Sequence, residues 1–330
     1  MRYSFPVAQL GDHVKVSRKV LRLGTRGSAL AMAQSRIVAN YLTDRHPSLR
    51  VELVAIRTTG DVVADRPLHE FGGKGVFTKE IELALLRGEI DCAVHSLKDM
   101  PVTQPLVEQG ELMIAAILER EDVRDVLVSR VARTINELPQ NARVGSSSLR
   151  RRAQLLDRRP DLQVEPLRGN IDTRISKLKA GGFDAIVLAA AGISRLGVWD
   201  DALMTSIDLF QMLPAAGQGA LAVQCRCADD VTRAFLAPLD HSPSRRAVEI
   251  ERRLILELRG DCHSPLAVYV TDDRFEAAAK PFHLQAAVAR RGGVPPLISV
   301  KMSGGAEIAL DAARRLEDQG AIEMLHGPQC

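Results

Sequence analysis

The sequence predicts an α/β protein of two similar lobes followed by a small α+β domain. Three observations carry this. Strand-like and helix-like segments alternate from Leu21 to about Val223, the pattern of largely parallel sheets covered by helices. Two stretches recur in the same order. Arg22-Leu-Gly-Thr-Arg-Gly-Ser28 parallels Arg143-Val-Gly-Ser-Ser-Ser148, each before a helix with an Ala-Gln pair (Ala33-Gln34, Ala153-Gln154), and Gly88–Val94 parallels Gly182–Val187. An ordered repeat of this kind marks two copies of one architecture. Finally, the pattern changes near His241 to helix, three strands and helix.

In chain order, Leu21–Thr25 reads as a short strand, Ala29–Leu42 as a helix and Val51–Thr58 as a buried strand. Phe77–Glu89 reads as a helix and Ile90–Ser96 as a strand. A second unit opens near Asp125 with the strand DVLVS. There Ala142–Ser147 is a strand entering a loop, Leu149–Arg159 a helix, IDTRISKLKAG another helix, and Phe183–Gly192 a strand entering a loop. In the last unit Pro243–Leu258 has helical amphipathicity. LAVYVT, HLQAAVAR and LISVKMS read as strands, and Glu307–Gly320 as a closing helix.

Composition narrows the function classes. The 330 residues carry 44 Lys+Arg against 41 Asp+Glu, a net charge of +3, with 4% aromatics. A small net charge and few aromatic platforms speak against nucleic acid as the partner. No apolar run reaches membrane-spanning length. Five cysteines, an odd number in a long chain, predict a reducing, cytoplasmic setting and not a disulfide scaffold. Residues 1–20 lack the apolar stretch of a secretory signal and read as an extension before the first strand. No exposed apolar stripe demands a partner copy, so a monomer is expected. The basic residues divide into 35 Arg and 9 Lys. Arginine suits bidentate recognition of carboxylate or phosphate, so its placement matters more than its number.

That placement is informative in Gly145-Ser-Ser-Ser-Leu-Arg-Arg-Arg152. The serines offer a helix N-cap, and free N–H groups at a helix start favour an anion. Three arginines in a first turn oppose the helix dipole, a conflict expected where function demands it. Thr25-Arg26-Gly27-Ser28 repeats the idea in the first lobe. Arg168 precedes a helix, Arg174 lies one turn into it, and Arg195 follows the Phe183–Gly192 strand. Arginines at loop–helix junctions of two facing lobes would converge on a cleft and suit a ligand with several carboxylates.

Phe71-Gly-Gly-Lys-Gly-Val76 lacks the Ser/Thr of a phosphate loop and reads as a flap with Lys74 at its tip. Lys98 and Asp99 stand just past a buried strand, at the end where open α/β sheets place ligands. Cys262, in the turn-rich Arg259–Pro265 loop with His263 beside it, is a candidate nucleophile. Cys225 and Cys227 lack zinc-ligand spacing and read as structural.

Together, LRLGTRGSALAMAQ, GGKGVFTKEIE, AVHSLKDMP, EREDVRD, VGSSSLRRRAQL, RPDL, LRGNIDTRISKL, DAIVLAAAGISRLG, LPAAGQGALAVQCR and the loop cysteine resemble the porphobilinogen deaminase family from about Leu21 to Leu266. The resemblance implies two lobes like those of periplasmic binding proteins, with doubly wound mixed sheets, and a third domain with a three-stranded antiparallel sheet. It implies an extension at 1–20, lobe 1 at 21–118 and 216–240, lobe 2 at 119–215, and a C-terminal domain at 241–330. It implies a transferase of tetrapyrrole (haem) biosynthesis. Four porphobilinogen molecules condense, with release of ammonia, on an enzyme-bound dipyrromethane cofactor, and hydrolysis frees hydroxymethylbilane.

By the same resemblance Cys262 holds the cofactor through a thioether and Asp99 is the catalytic carboxylate. Arg26, Ser28, Lys98, Ser146, Ser148, Arg150, Arg151, Arg168 and Arg174 bind the cofactor's carboxylates. Arg26, Gln34, Arg168, Arg174 and Arg195 bind substrate, and no metal is expected. The family often has Gly where Asp261 stands, and a charge beside the thiol would raise its pKa. Two rival readings stay beside this one: a non-enzymatic two-lobed binder of a small polycarboxylate, and a cysteine hydrolase built on Cys262 and His263.

Overall fold

The structure is a computed structural model that describes residues 18–58, 78–261, 263–272 and 282–327. Two five-stranded mixed sheets and one three-stranded antiparallel sheet organise it.

The first sheet has the order β2-β1-β3-β10-β4, with β1 Val20–Arg26, β2 Arg50–Ile56, β3 Cys92–Ser96, β4 Leu112–Ile117 and β10 Leu221–Arg226. β1 runs parallel to β2 and β3, and β10 is antiparallel to β3 and β4. The second sheet repeats this plan in the order β7-β6-β8-β5-β9. Its strands are β5 Asp125–Ser129, β6 Arg143–Gly145, β7 Gln163–Glu165, β8 Ala185–Ala189 and β9 Met204–Ser206. β6 is parallel to β7 and β8, while β5 is antiparallel to β8 and β9. Both sheets therefore have three parallel strands and a reversed fourth, so the short sequence repeat reports a real duplication of architecture.

Strands β3, β5 and β8 are apolar runs buried along nearly their whole length, as expected where helices cover both faces. Helices at 29–45 and 79–86 cover the first sheet, and helices at 149–158 and 171–179 cover the second. The third domain packs β11 Leu266–Asp272, β12 Phe282–Arg290 and β13 Val294–Gly304 against the helices at 242–257 and 308–318. No helix among the described residues is long and apolar enough to cross a membrane.

The differences from the sequence reading have local causes. Phe183–Gly192 does not end in a loop: β8 passes directly into a helix at 190–196, and Arg195 lies in its last turn. Ala190, Ala191 and Ile193 are buried, so an apolar run continued through a change of secondary structure that periodicity does not mark. Leu112–Ile117 forms a strand that its sequence does not mark. A six-residue apolar run without alternation fits either state. A further short helix at 321–326 opens after Gly320 at φ +92°.

Candidate active site

Parallel strands deliver their C-terminal ends to one edge of a sheet, and here that edge faces the other lobe. β1 ends at Arg26, and Ser28 caps the following helix, its Oγ accepting from the Ala31 N–H at 3.3 Å. β3 ends at Ser96 and turns through a short 3-10 helix, Leu97–Asp99. Leu97 is buried beneath this turn, so Lys98 is half-buried and Asp99 is exposed to the cleft. The Asp99 carboxylate makes no hydrogen bond among the described residues, and its charge acts on Lys98 and Arg174. Gln34 reaches across to the same strand end, its Nε2 donating to Ser96 Oγ at 2.9 Å.

The second lobe builds its edge in the same way. After β6, Ser148 caps the 149–158 helix through its Oγ and the Arg151 N–H. Arg168 follows β7, and Arg174 donates through Nε to the Gly169 carbonyl at 2.7 Å. Gly169 sits at φ +112°, where a Cβ would come within 2.8 Å of the Thr173 side chain. Arg195 reaches back over the crossover and donates to the Gly219 carbonyl at 2.5 Å. Burial lowers the Arg174 and Arg195 guanidiniums from their ordinary value, but an arginine remains charged.

Arg150 and Arg151 are not a solvated face. Both are buried, and both clasp Asp125, the first residue of β5. Arg150 Nη1 donates to Asp125 Oδ2 at 2.8 Å and Arg151 Nη2 to Oδ1 at 2.7 Å. Arg151 also donates to the Val187 carbonyl, and Arg150 to that of Leu213. Burial opposes the charge on Asp125, but the two guanidiniums overcome it and hold the carboxyl well below the usual range. One carboxylate between two arginines leaves a net positive charge. The buried Arg150 Nε has no partner, so donor capacity remains.

The third wall belongs to the C-terminal domain. Asp261, His263 and Ser264 line the cleft beside Arg252 and Arg259. Asp261 Oδ1 accepts from the His263 N–H at 2.9 Å and from Ser264 Oγ at 3.1 Å. Cys262 and Lys74 lie outside the described residues. Beneath the cleft the domains meet at Glu251, a fully buried residue of the 242–257 helix. Glu251 accepts from both Nη atoms of Arg120 at 2.7 and 3.0 Å, from the Gly217 N–H at 2.7 Å and from the Val270 N–H at 2.9 Å.

These walls enclose one cleft of about 1840 Å³. Arg26, Ser28, Gln34, Lys98, Asp99, Ser148, Arg150, Arg151, Arg168, Arg174 and Arg195 all line it. Ser146 does not: it is buried and its Oγ accepts from the Ser148 N–H, while its neighbour Ser147 lines the cleft instead. Sequence reasoning also passed over Asp125 and Gln218. Two adjacent arginines entering a helix signal a need for a counter-ion, and Asp125 in the EREDVRD stretch is that ion.

A family model described as "Porphobilinogen deaminase, dipyromethane cofactor binding domain" matches residues 21–234. A porphobilinogen deaminase of Xanthomonas campestris pv. campestris (strain B100) is 46% identical over 309 residues, 92% of this chain and 98% of the relative. One from Syntrophobacter fumaroxidans is 50% identical over 248 residues, 75% of this chain and 79% of the relative. Among solved structures, the methionine binding protein MetQ aligns with a TM-score of 0.41 at 14% identity, covering 67% of this chain and 89% of that one. By the family model and by identity along nearly its whole length, the chain belongs to the porphobilinogen deaminase family.

Proposed function

We propose that the cleft joins four porphobilinogen molecules, with loss of ammonia from each, and releases the linear tetrapyrrole hydroxymethylbilane. The observation that carries this is the accessible Asp99 carboxylate, set among cationic side chains from both lobes in the cleft that Asp261 and His263 also line. We assign attachment of the family's dipyrromethane to Cys262, whose neighbours Asp261 and His263 both line the cleft. The residues fit such a group. A two-ring tetracarboxylate needs several cationic partners, and the cleft offers Lys98, Arg150, Arg151 and Arg174 with an unused buried N–H on Arg150. When bound, the dipyrromethane supplies the pyrrole carbon to which the units are joined.

The chain's own residues orient and stabilise. Arg26, Arg168, Arg174 and Arg195, with Gln34, hold the acetate and propionate groups of the incoming porphobilinogen. Lys98, Arg150 and Arg151, with Ser28, Ser148 and the backbone around Ser146, hold the cofactor's carboxylates. Asp99 faces the substrate pyrrole N–H, where positive charge develops as ammonia leaves. A fixed carboxylate already in place stabilises that charge without reorganising. The division into lobe 1 at 21–118 and 216–240, lobe 2 at 119–215 and a C-terminal domain at 241–330 follows the three sheets. We infer a monomer working in the cytoplasm on a small molecule, without nucleic acid or membrane; the unpaired thiols of Cys92, Cys225 and Cys227 suit a reducing compartment.

Intact-mass spectrometry tests the attachment. The purified protein should carry the added mass of two pyrrole units, and Cys262→Ser should lack it. An unmodified mass in active enzyme refutes the assignment.

A further inference from the structure

Gln218 belongs to the 215–220 turn, through which the chain returns from the second lobe to β10. It is 1% exposed and stands between Gly217 (φ +69°) and Gly219 (φ +89°). The turn is held tightly. A Cβ on Gly219 would lie 2.4 Å from the Glu121 carbonyl oxygen, and Arg120 Nε donates to the Gln218 carbonyl at 2.8 Å.

The side-chain amide has one allowed orientation. Its Nε2 donates to the Val123 carbonyl at 2.8 Å and to Asp125 Oδ1 at 2.9 Å. A carbonyl and an ionised carboxylate only accept hydrogen bonds, so the amide cannot flip. Oε1 therefore faces Lys98, whose Nζ donates to it at 3.3 Å. This is the one hydrogen bond of the Lys98 side chain among the described residues.

We propose that Gln218 is a positioning residue of the reaction: its amide holds the Lys98 ammonium beside Asp99 and couples it to the Asp125–Arg150–Arg151 cluster of the other lobe. The position needs donors on one side and an acceptor on the other at once. Glutamate would set a second anion against Asp125, and an apolar side chain would leave Lys98 and Asp125 each short of a partner. The functional part of this inference rests on the proposed role of Asp99; the link to Lys98 rests on the geometry alone.

The charged groups facing Lys98 are Asp99 on its own turn, Arg150 and Arg151 from the 149–158 helix, and Asp125 from β5. Burial lowers the Lys98 ammonium to about 8, and the two arginines add to this against the two carboxylates. Removing the Gln218 acceptor takes away a stabilising partner of the charged form, so the amine should titrate lower still.

The test uses Gln218→Met in the cofactor-loaded enzyme. Acetylation of Lys98 by acetic anhydride, followed by peptide mass spectrometry from pH 6 to 10, reads its titration directly. The midpoint should fall by roughly one unit. The basic limb of kcat for porphobilinogen should shift with it, and in a Lys98→Arg background that shift should vanish. An unchanged Lys98 midpoint overturns the proposal, whatever happens to turnover, because a merely structural turn would lower activity without moving the amine. A basic-limb shift that persists in Lys98→Arg also overturns it. If Gln218→Met does not fold, Gln218→Asn keeps the amide, shortens its reach by one methylene and is read in the same way. Normal turnover in Asp99→Ala would refute the Asp99 assignment and leave the acetylation result standing.

Discussion

Replacing Asp125 by asparagine keeps the shape of a buried side chain and removes one charge. In the wild type that charge faces Arg150 at 2.8 Å and Arg151 at 2.7 Å with no solvent between. At an effective dielectric constant near 20, a contact pair is worth about 4 kcal/mol, so two pairs give roughly 8 kcal/mol of gross attraction. Returning the carboxylate's desolvation penalty offsets several kcal/mol of this, and breaking a buried pair costs about 3–5 kcal/mol net. The new amide would keep an acceptor for one guanidinium but turn its N–H groups toward the other, which only donates. Asp125→Asn should therefore lose about 3–5 kcal/mol against urea, read by the fluorescence of Trp199, the chain's one tryptophan. The sign of the pH dependence follows from the depressed carboxyl. Its contribution is complete above the ordinary aspartate value of about 4 and declines as pH falls toward the lower folded-state value. The gap between wild type and variant should narrow below about pH 4. A loss under about 1 kcal/mol at pH 7 would mean that the two arginines do not depend on Asp125.

Two further substitutions separate binding from chemistry. Asp99→Ala removes a carboxylate without a hydrogen bond among the described residues, so the unfolding midpoint should stay in place. Turnover should fall about 10²–10³-fold, the range for a lost preorganised electrostatic partner; a fall below about threefold would refute the role. Arg174→Leu should raise KM for porphobilinogen about 10–100-fold, from loss of a charged hydrogen bond of about 1.5–3 kcal/mol. An unchanged KM in steady-state assays would remove Arg174 from the substrate's carboxylates.

Residues whose roles are local were legible in the sequence. Ser28 and Ser148 announce helix caps, and the buried run before Lys98 and Asp99 places both at a strand end. The arginines at loop–helix junctions do converge on one cleft. Relations that depend on long-range closure were not legible. Nothing next to Arg150 and Arg151 names their counter-ion, because Asp125 stands 25 and 26 residues away. Gln218 is 120 residues from Lys98, and nothing near either residue indicates that they meet. Ser146 and Ser147 are adjacent hydroxyls in one loop, and only the path of the backbone decides which enters the cleft.

The exchange of strands between the lobes bears on how the chain comes to fold during its synthesis. All strands of the second sheet lie between Asp125 and Ser206, so that lobe holds its full complement once this stretch has emerged. The first lobe begins earlier and finishes later. β10 sits between β3 and β4, and among the described residues β4 pairs with no other strand. Until Leu221–Arg226 has left the ribosome, β3 keeps only β1 beside it and β4 is cut off from the rest of the sheet. Of the two lobes, the one translated first is therefore the one completed last, and its unpaired strand edges stay exposed longest during synthesis.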